Sequence, residues 1–179
     1  MSVPTRIFLI GYRGSGKTTV ARLLAPELQF DWVDSDQEIE LRTGKSIAAI
    51  FSEQGEEVFR ELETEVLVEL CQREKTVVAL GGGCIVRARN RELIATAGPA
   101  VWLTAPVHIL GDRLQEDSRT ASMRPDLTST GGAGEIEVIL QQRIGLYRQS
   151  ATWEVDTEDK SPAEVVAAIR LQLDSERSL

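Results

Sequence analysis

Residues 6–18 read RIFLIGYRGSGKT, and this stretch decides the fold. Arg6 to Ile10 is a short apolar run of the buried-strand type, and an apolar period of helical spacing runs from Lys17 to Leu28. Between them, Gly11-Tyr12-Arg13-Gly14-Ser15-Gly16-Lys17-Thr18 fits G-x-x-x-x-G-K-[ST] in the strand-loop-helix setting that the pattern requires. Such a loop brings backbone N–H groups, the positive end of a helix and a lysine to one place, which suits the phosphates of a nucleotide. The residues expected around those phosphates are Gly14, Ser15, Gly16, Lys17, Thr18 and Thr19, with Lys17 at the β- and γ-phosphates and Thr18 on Mg2+.

Outward from this loop, strands and helices alternate. Strands are predicted at 31–33, 77–80, 100–103 and 153–156, and helices at 36–42, 47–73 with a break near Gly55, 89–97, 106–114 and 135–150. Ser161-Pro162-Ala163-Glu164 is a capping box with proline at the first helical position, opening a last helix. This order predicts an α/β fold: a three-layer sandwich with a five-stranded parallel sheet, and ligands at the carboxyl ends of the strands. Residues 1–179 are expected to form one domain, with the polar, aperiodic stretch of about 115–134 as a mobile lid.

Twenty basic against 28 acidic residues give a net charge of -8. That balance argues against a nucleic-acid or anionic-membrane surface spread over the protein, so an anionic ligand requires a local gathering of Arg and Lys. Cys71 and Cys84 have no metal-ligand or disulfide spacing and are expected as reduced, buried thiols; the single histidine, His108, makes no cluster. The first apolar run, Ile7 to Ile10, is too short for a signal peptide, and no run reaches membrane-spanning length. A cytoplasmic protein is expected.

Three further features carry candidate chemistry. Asp34-Ser35-Asp36 follows the second strand; the two acids suit metal and acceptor chemistry, while Ser35-x-x-Glu38 also reads as a capping box with both acids favouring the helix dipole. Gly81-Gly82-Gly83 ends the run VVALGGGCIV and lacks a following Lys-Ser/Thr, so it is expected to admit a ligand to the main chain rather than to cradle phosphate. Among the arginines, Arg60 has Glu56, Glu57 and Glu63 at helical spacing and reads as a surface ion pair. Arg143 has Ile139, Leu140, Leu146 and Tyr147 at those spacings and needs an anion from elsewhere. Arg113, Arg119 and Arg124 read equally as solvated charges or as phosphate contacts.

Together these segments resemble a shikimate kinase: GYRGSGKT, the DSD pair, Gly55-Glu56-Glu57-Val58-Phe59-Arg60 leading to Glu63, the triple glycine, Arg124-Pro125, and Arg143-Ile144-Gly145-Leu146-Tyr147-Arg148, in the family's order over nearly the whole chain. The resemblance implies a P-loop kinase fold and transfer of the ATP γ-phosphate to the 3-hydroxyl of shikimate, a step of aromatic amino acid biosynthesis. It implies Lys17, Asp36 and Arg124 as catalytic residues, with Asp36 holding the shikimate hydroxyls. Arg60 and Arg143 would take the carboxylate, with Gly81, Gly82 and Gly83 against the same substrate; Gly82→Ala is accordingly expected to impair shikimate more than ATP. Thr18 and Asp34 would serve Mg2+, Arg113 and Pro162 would flank adenine, and Arg124 would close on the transferring phosphate. It also implies a monomer, and the net charge of -8 goes with no nucleic-acid or membrane partner. In the lid this chain has Arg124-Pro125-Asp126-Leu127-Thr128 where the family often shows Arg-Pro-Leu-Leu, and Gly131-Gly132-x-Gly134 follows. The alternative is a related kinase acting on gluconate or a nucleoside monophosphate. A GTP switch is disfavoured because N-K-x-D and D-x-x-G are missing.

Overall fold

The computed structural model describes residues 4–116 and 132–177. In chain order the elements are β1 (Arg6–Ile10), α1 (Lys17–Leu28), β2 (Asp31–Asp34), α2 (Ser35–Thr43), α3 (Ile47–Leu70), β3 (Thr76–Ala79), a 3-10 turn (Cys84–Val86) and α4 (Ala88–Ala97). There follow β4 (Ala100–Thr104), α5 (Val107–Glu116), α6 (Gly132–Ser150), β5 (Trp153–Asp156) and α7 (Pro162–Arg177). The strands form one sheet in the order β2-β3-β1-β4-β5, with every pairing parallel among the described residues.

The period of two in the strands divides the core. Ile7, Leu9, Val77, Ala79, Val101 and Leu103 face α1 and α7, where Val20, Leu24, Val165 and Ile169 meet them. Phe8, Ile10, Val78, Ala100 and Trp102 face the other way, onto Ile39 of α2, Phe59 and Leu67 of α3, Ile94 of α4 and Tyr147 of α6. Strands buried on both faces need no polar alternation, which explains why RIFLI and TVVA are nearly continuous apolar runs. Each such fully buried side chain contributes roughly 1.5–3 kcal/mol relative to exposure.

The topology places the site. β1 lies between β3 and β4, and the helix that follows β1 packs on one face while α4, which follows β3, packs on the other. The connections leaving β1 and β3 therefore diverge at the carboxyl edge and open a crevice there. The β2–β3 register sets Asp34 opposite Ala79, so the acidic pair and the triple glycine emerge side by side.

Local chemistry accounts for the element ends. Gly55 (φ 85°, ψ 170°) breaks α3 where the break was expected. Ser161 and Glu164 form the reciprocal capping box, with Ser161 N donating to Glu164 Oε2 at 2.8 Å and Glu164 N to Ser161 Oγ at 3.3 Å. Some boundaries shift: β3 begins one residue earlier than predicted, α3 stops at Leu70, and α6 starts at Gly132. Of the expected lid, residues 117–131, which include Arg119, Arg124 and Asp126, lie outside the described residues. Cys71 and Cys84 are both free thiols, Cys84 fully buried and Cys71 partly so. Among the described residues no helix is long and apolar enough to cross a membrane.

Candidate active site

The loop after β1 is bent by three glycines in the left-handed region: Gly11 at φ 142°, Gly14 at 80° and Gly16 at 92°. Gly16 is the N-cap of α1 and brings no side chain to cap it, so the first N–H groups of the helix are left to the loop. Lys17 Nζ folds back over this loop, donating to the carbonyls of Gly11 at 2.9 Å and Tyr12 at 2.8 Å. Gly14, Ser15, Gly16, Lys17, Thr18 and Thr19 all line a cleft of about 920 Å3.

Asp34, Asp36 and Gly82 line the cleft toward the β2 edge of the sheet; Arg113, Thr157, Lys160 and Pro162 line it toward the β5 edge. Arg113 is docked rather than free there. Its guanidinium donates to Thr157 Oγ1 at 3.0 Å and to the Thr157 carbonyl at 2.7 Å, and Thr157 Oγ1 donates in turn to the Thr104 carbonyl at 2.9 Å. The segment after β5 and the end of β4 thereby fix an arginine at the cleft wall beside Pro162. Nothing in the sequence marked Thr157.

The acidic pair resolves a choice that the sequence left open. The N-cap of α2 is Asp34, not Ser35: its Oδ1 accepts from the N–H groups of Asp36 at 3.0 Å and Gln37 at 3.4 Å. Its other oxygen, Oδ2, accepts from Thr18 Oγ1 at 2.6 Å. One carboxylate is thus both a helix cap and a partner of the phosphate loop. Ser35, read from sequence as the cap, instead accepts from the N–H of Gly81 at 2.8 Å and ties the triple glycine to α2. Burial pushes the Asp34 carboxyl up, and the Asp36 charge adds to this; the Thr18 and Gln37 hydrogen bonds and Lys17 oppose it. Two adjacent hard oxygen donors in a site strained by like charge fit a small divalent cation such as Mg2+.

The triple glycine is explained by what surrounds it. A methyl group built on Gly81 would lie 2.5 Å from Asp36 Oδ1 and 3.0 Å from Glu63 Oε1. One built on Gly83 would overlap the Arg60 guanidinium, 2.8 Å from Cζ. On Gly82 it would press against the phosphate loop, 3.3 Å from the Gly11 carbonyl and 3.4 Å from the Arg13 N–H nitrogen. The room that the glycines leave is taken by the chain's own groups. The expectation that Gly82→Ala acts chiefly on the acceptor changes accordingly, because its methyl group meets the nucleotide loop.

Arg60 is not the surface ion pair that its helical neighbours suggested. It is 7% exposed, and Glu63, which accepts from it at 2.8 Å, is 1% exposed; Glu56 accepts from it at 3.1 and 3.2 Å. Burial alone lowers the Arg60 pKa, but Glu63 and then Glu56 more than offset this and raise it above the usual arginine range. Glu57, the third acid, turns away to Arg87. Arg143 meets the anticipated need for a partner differently: its Nη1 donates to the Gly82 carbonyl at 3.3 Å, and among the described residues no carboxylate pairs with it. Tyr147, one turn further, donates to the same carbonyl at 2.5 Å while stacked on Trp102 with centroids 5.6 Å apart. Its i+4 spacing from Arg143 was the available signal. Asn90 braces the turn from behind, donating to the Cys84 carbonyl at 2.9 Å and accepting from Thr64 Oγ1 at 2.9 Å.

The structure therefore gathers Asp36, Arg60, Gly81, Gly82, Gly83 and Arg143 at one end of the cleft, although only Asp36 and Gly82 of these line it. Arg124 lies outside the described residues. A carboxylate beside a glycine-rich loop at a helix N-terminus, next to two arginines, suits phosphoryl transfer to a small anionic alcohol.

Comparison with known proteins gives the lineage. A family model described as shikimate kinase matches residues 13–174. A shikimate kinase of Rhodopirellula baltica is 42% identical over 166 residues, covering 93% of this chain and 89% of that protein. A second, of Oleidesulfovibrio alaskensis, is 42% identical over 168 residues, covering 94% and 96%. The solved structure of the shikimate kinase from Acinetobacter baumannii in complex with shikimate superposes with a TM-score of 0.88 at 39% identity, over 98% of this chain and 95% of that one. With a likeness that runs from the phosphate loop to the last helix in both sequence and fold, the chain belongs to the shikimate kinase family.

Proposed function

We infer that the protein transfers the γ-phosphate of ATP to the 3-hydroxyl of shikimate, giving shikimate 3-phosphate and ADP. The observation that carries this reading is the convergence on one cleft of the phosphate loop and Asp36, with Arg60 and Arg143 joined to the same wall through Gly83 and Gly82. Bidentate guanidinium contacts suit a planar carboxylate, and two arginines give a net acidic protein a local anion site. Loose phosphoryl transfer asks mainly for alignment and charge stabilisation.

In this reading the N–H groups of Gly14 to Thr19 hold the ATP phosphates and Lys17 reaches the β- and γ-phosphates. Thr18 and Asp34 hold Mg2+, which when bound supplies countercharge to the phosphate oxygens. Arg113 and Pro162 flank the adenine. Asp36 accepts a hydrogen bond from the 3-hydroxyl, which aims the hydroxyl oxygen at the γ-phosphorus; as the new P–O bond forms, the bond from that phosphorus to the β,γ-bridging oxygen breaks, its electron pair leaves with ADP, and the hydroxyl proton is released. Arg60, Arg143 and the Gly81 to Gly83 turn hold the acceptor ring, and Arg124 completes the charge stabilisation of the transferred group. The chain acts as one kinase domain over residues 1–179, as a cytoplasmic monomer.

The test is ADP release by purified protein with Mg-ATP and shikimate, gluconate or nucleoside monophosphates. Release should depend on shikimate and give a phosphorylated 3-hydroxyl. Equal release with and without shikimate, or preference for another acceptor, sinks the reading.

A further inference from the structure

Arg13 occupies one of the unspecified positions of the phosphate-loop pattern and lines the cleft, while its guanidinium reaches another element. Its Nη2 donates to Glu135 Oε1 at 3.0 Å. Glu135 stands in the first turn of α6 and is 0% exposed, whereas the Arg13 side chain keeps 18%. A carboxylate taken fully out of water requires charge-assisted partners, and losing one is far costlier than losing a surface pair. The adjacent loop residue reinforces the contact: Tyr12 is buried in an apolar cluster with Leu110, Ile136 and Ile139, so two consecutive loop side chains grip the first two turns of α6.

The same helix carries Arg143, two turns beyond Glu135, and Tyr147, both donating to the Gly82 carbonyl. Gly82 in turn packs against the backbone of Gly11 and Arg13. The contacts close a circuit: loop side chains to α6, α6 to Gly82, and Gly82 back to the loop backbone. Because the carboxylate of the pair is buried and the contact is directional, a change in the loop is passed to the helix as a rigid shift rather than absorbed by solvent.

We propose that Arg13 and Glu135 are positioning residues, whose ion pair couples the nucleotide loop to the aim of Arg143 and so makes nucleotide binding and acceptor binding interdependent. The proposal rests on the reading of Arg143 as an acceptor-binding residue. Neither is among the residues proposed to touch the reacting atoms. The coupling is reciprocal by linkage, so it can be read from the acceptor alone.

The experiment is calorimetric measurement of the shikimate Kd with and without Mg-ADP, in the wild type and in Glu135→Gln, which keeps side-chain size. In the wild type the nucleotide should change the shikimate Kd by about fivefold or more, the lower range of measured couplings. In Glu135→Gln the ratio should fall to within about twofold of one, with the affinity for Mg-ADP alone altered less than about twofold. Arg13→Lys, which keeps the charge, should retain most of the wild-type ratio; a purely structural role would not follow charge in this way. If Glu135→Gln fails to fold, the double variant Arg13→Gln with Glu135→Gln removes both charges together and supplies the same readout. A ratio near one in the wild type, or a wild-type ratio in the neutralised variants, overturns the coupling. Failure of the functional reading is separate, since it appears in the wild type as ADP release independent of shikimate.

Discussion

The two glycine-rich turns of this molecule, Gly11 to Gly16 after β1 and Gly81 to Gly83 after β3, use the same residue for different physical reasons. In the first, Gly11, Gly14 and Gly16 all adopt positive φ, a conformation that any Cβ opposes. In the second, all three glycines stay outside the left-handed region, and what opposes a Cβ is the side chain of Asp36, the guanidinium of Arg60 and the backbone of the first turn. The first turn needs glycine for shape at all three positions, and at Gly11 for room as well, since a Cβ there would lie 2.5 Å from the Leu103 carbonyl oxygen; the second needs it for room alone. Shape in the first is set mainly by its own backbone; room in the second is set by groups delivered from α2, α3 and the phosphate loop. Substitutions should therefore fail in different ways at the two places.

The largest effect is expected where the second turn's occupant meets chemistry. Asp36→Asn keeps the shape beside Gly81 but removes the charge proposed to aim the acceptor hydroxyl, and kcat should fall by about 10²–10⁴-fold, the usual contribution of such a group. Mg-ATP affinity, measured by titration, should hold within about twofold. Unchanged turnover would return Asp36 to a purely structural place on α2. Next in size, Gly83→Ala forces the buried Arg60 guanidinium to move while Glu63 and Glu56 still hold it. Displacing a charge-assisted contact worth about 1.5–3 kcal/mol should raise the shikimate KM by about 10- to 100-fold and leave the ATP KM nearly constant. A parallel rise of both would show that the turn serves the sheet edge as a whole.

Smaller again is Gly16→Ala in the first turn. Beyond its own chain neighbours nothing lies within 4 Å of the added methyl group, so the cost is conformational. A left-handed residue other than glycine costs roughly 1–2 kcal/mol. At this chain length that corresponds to about 2–8 °C in Tm by differential scanning calorimetry. A loss near zero would mean that shape is not what the first turn requires.

This division also explains what the sequence could disclose. The phosphate loop, the alternating elements, the break at Gly55 and the Ser161 capping box were legible because each depends on residues adjacent in the chain. The burial of Arg60 was not legible: its helical neighbours predict a surface pair, and only the packing of the triple glycine and its turn over α3 seals Arg60 and Glu63 from water. Thr157 and Glu135 act across 44 and 122 residues of chain, on Arg113 and Arg13, and no local pattern announces either. For Asp34, cap and site were posed as alternatives because the sequence shows one side chain at a time, whereas one of its oxygens caps the helix while the other accepts from Thr18 of the phosphate loop.

Asp34 gives the smallest and most diagnostic prediction, since its effects on stability and on activity should have opposite signs. Its carboxyl is raised by burial and by the Asp36 charge, so the folded protein holds this proton more tightly than the unfolded chain does. Between the unfolded carboxylate range and the raised folded value the native state binds more protons, and stability falls as pH rises through that window. Above that window both states are ionised and the full cost remains. Asp34→Asn removes the charge while asparagine still caps the helix and accepts from Thr18. The variant should therefore melt at a higher temperature than the wild type at pH 7, and this advantage should disappear as the pH is lowered below the unfolded carboxylate range. Turnover with Mg-ATP should fall nonetheless, because the hard anionic oxygen proposed for the cation is gone. A lower Tm at pH 7 would mean that the pair with Thr18 outweighs the cost of burial. The first glycine turn would then depend on a side chain from outside it, and the contrast between shape and room would narrow.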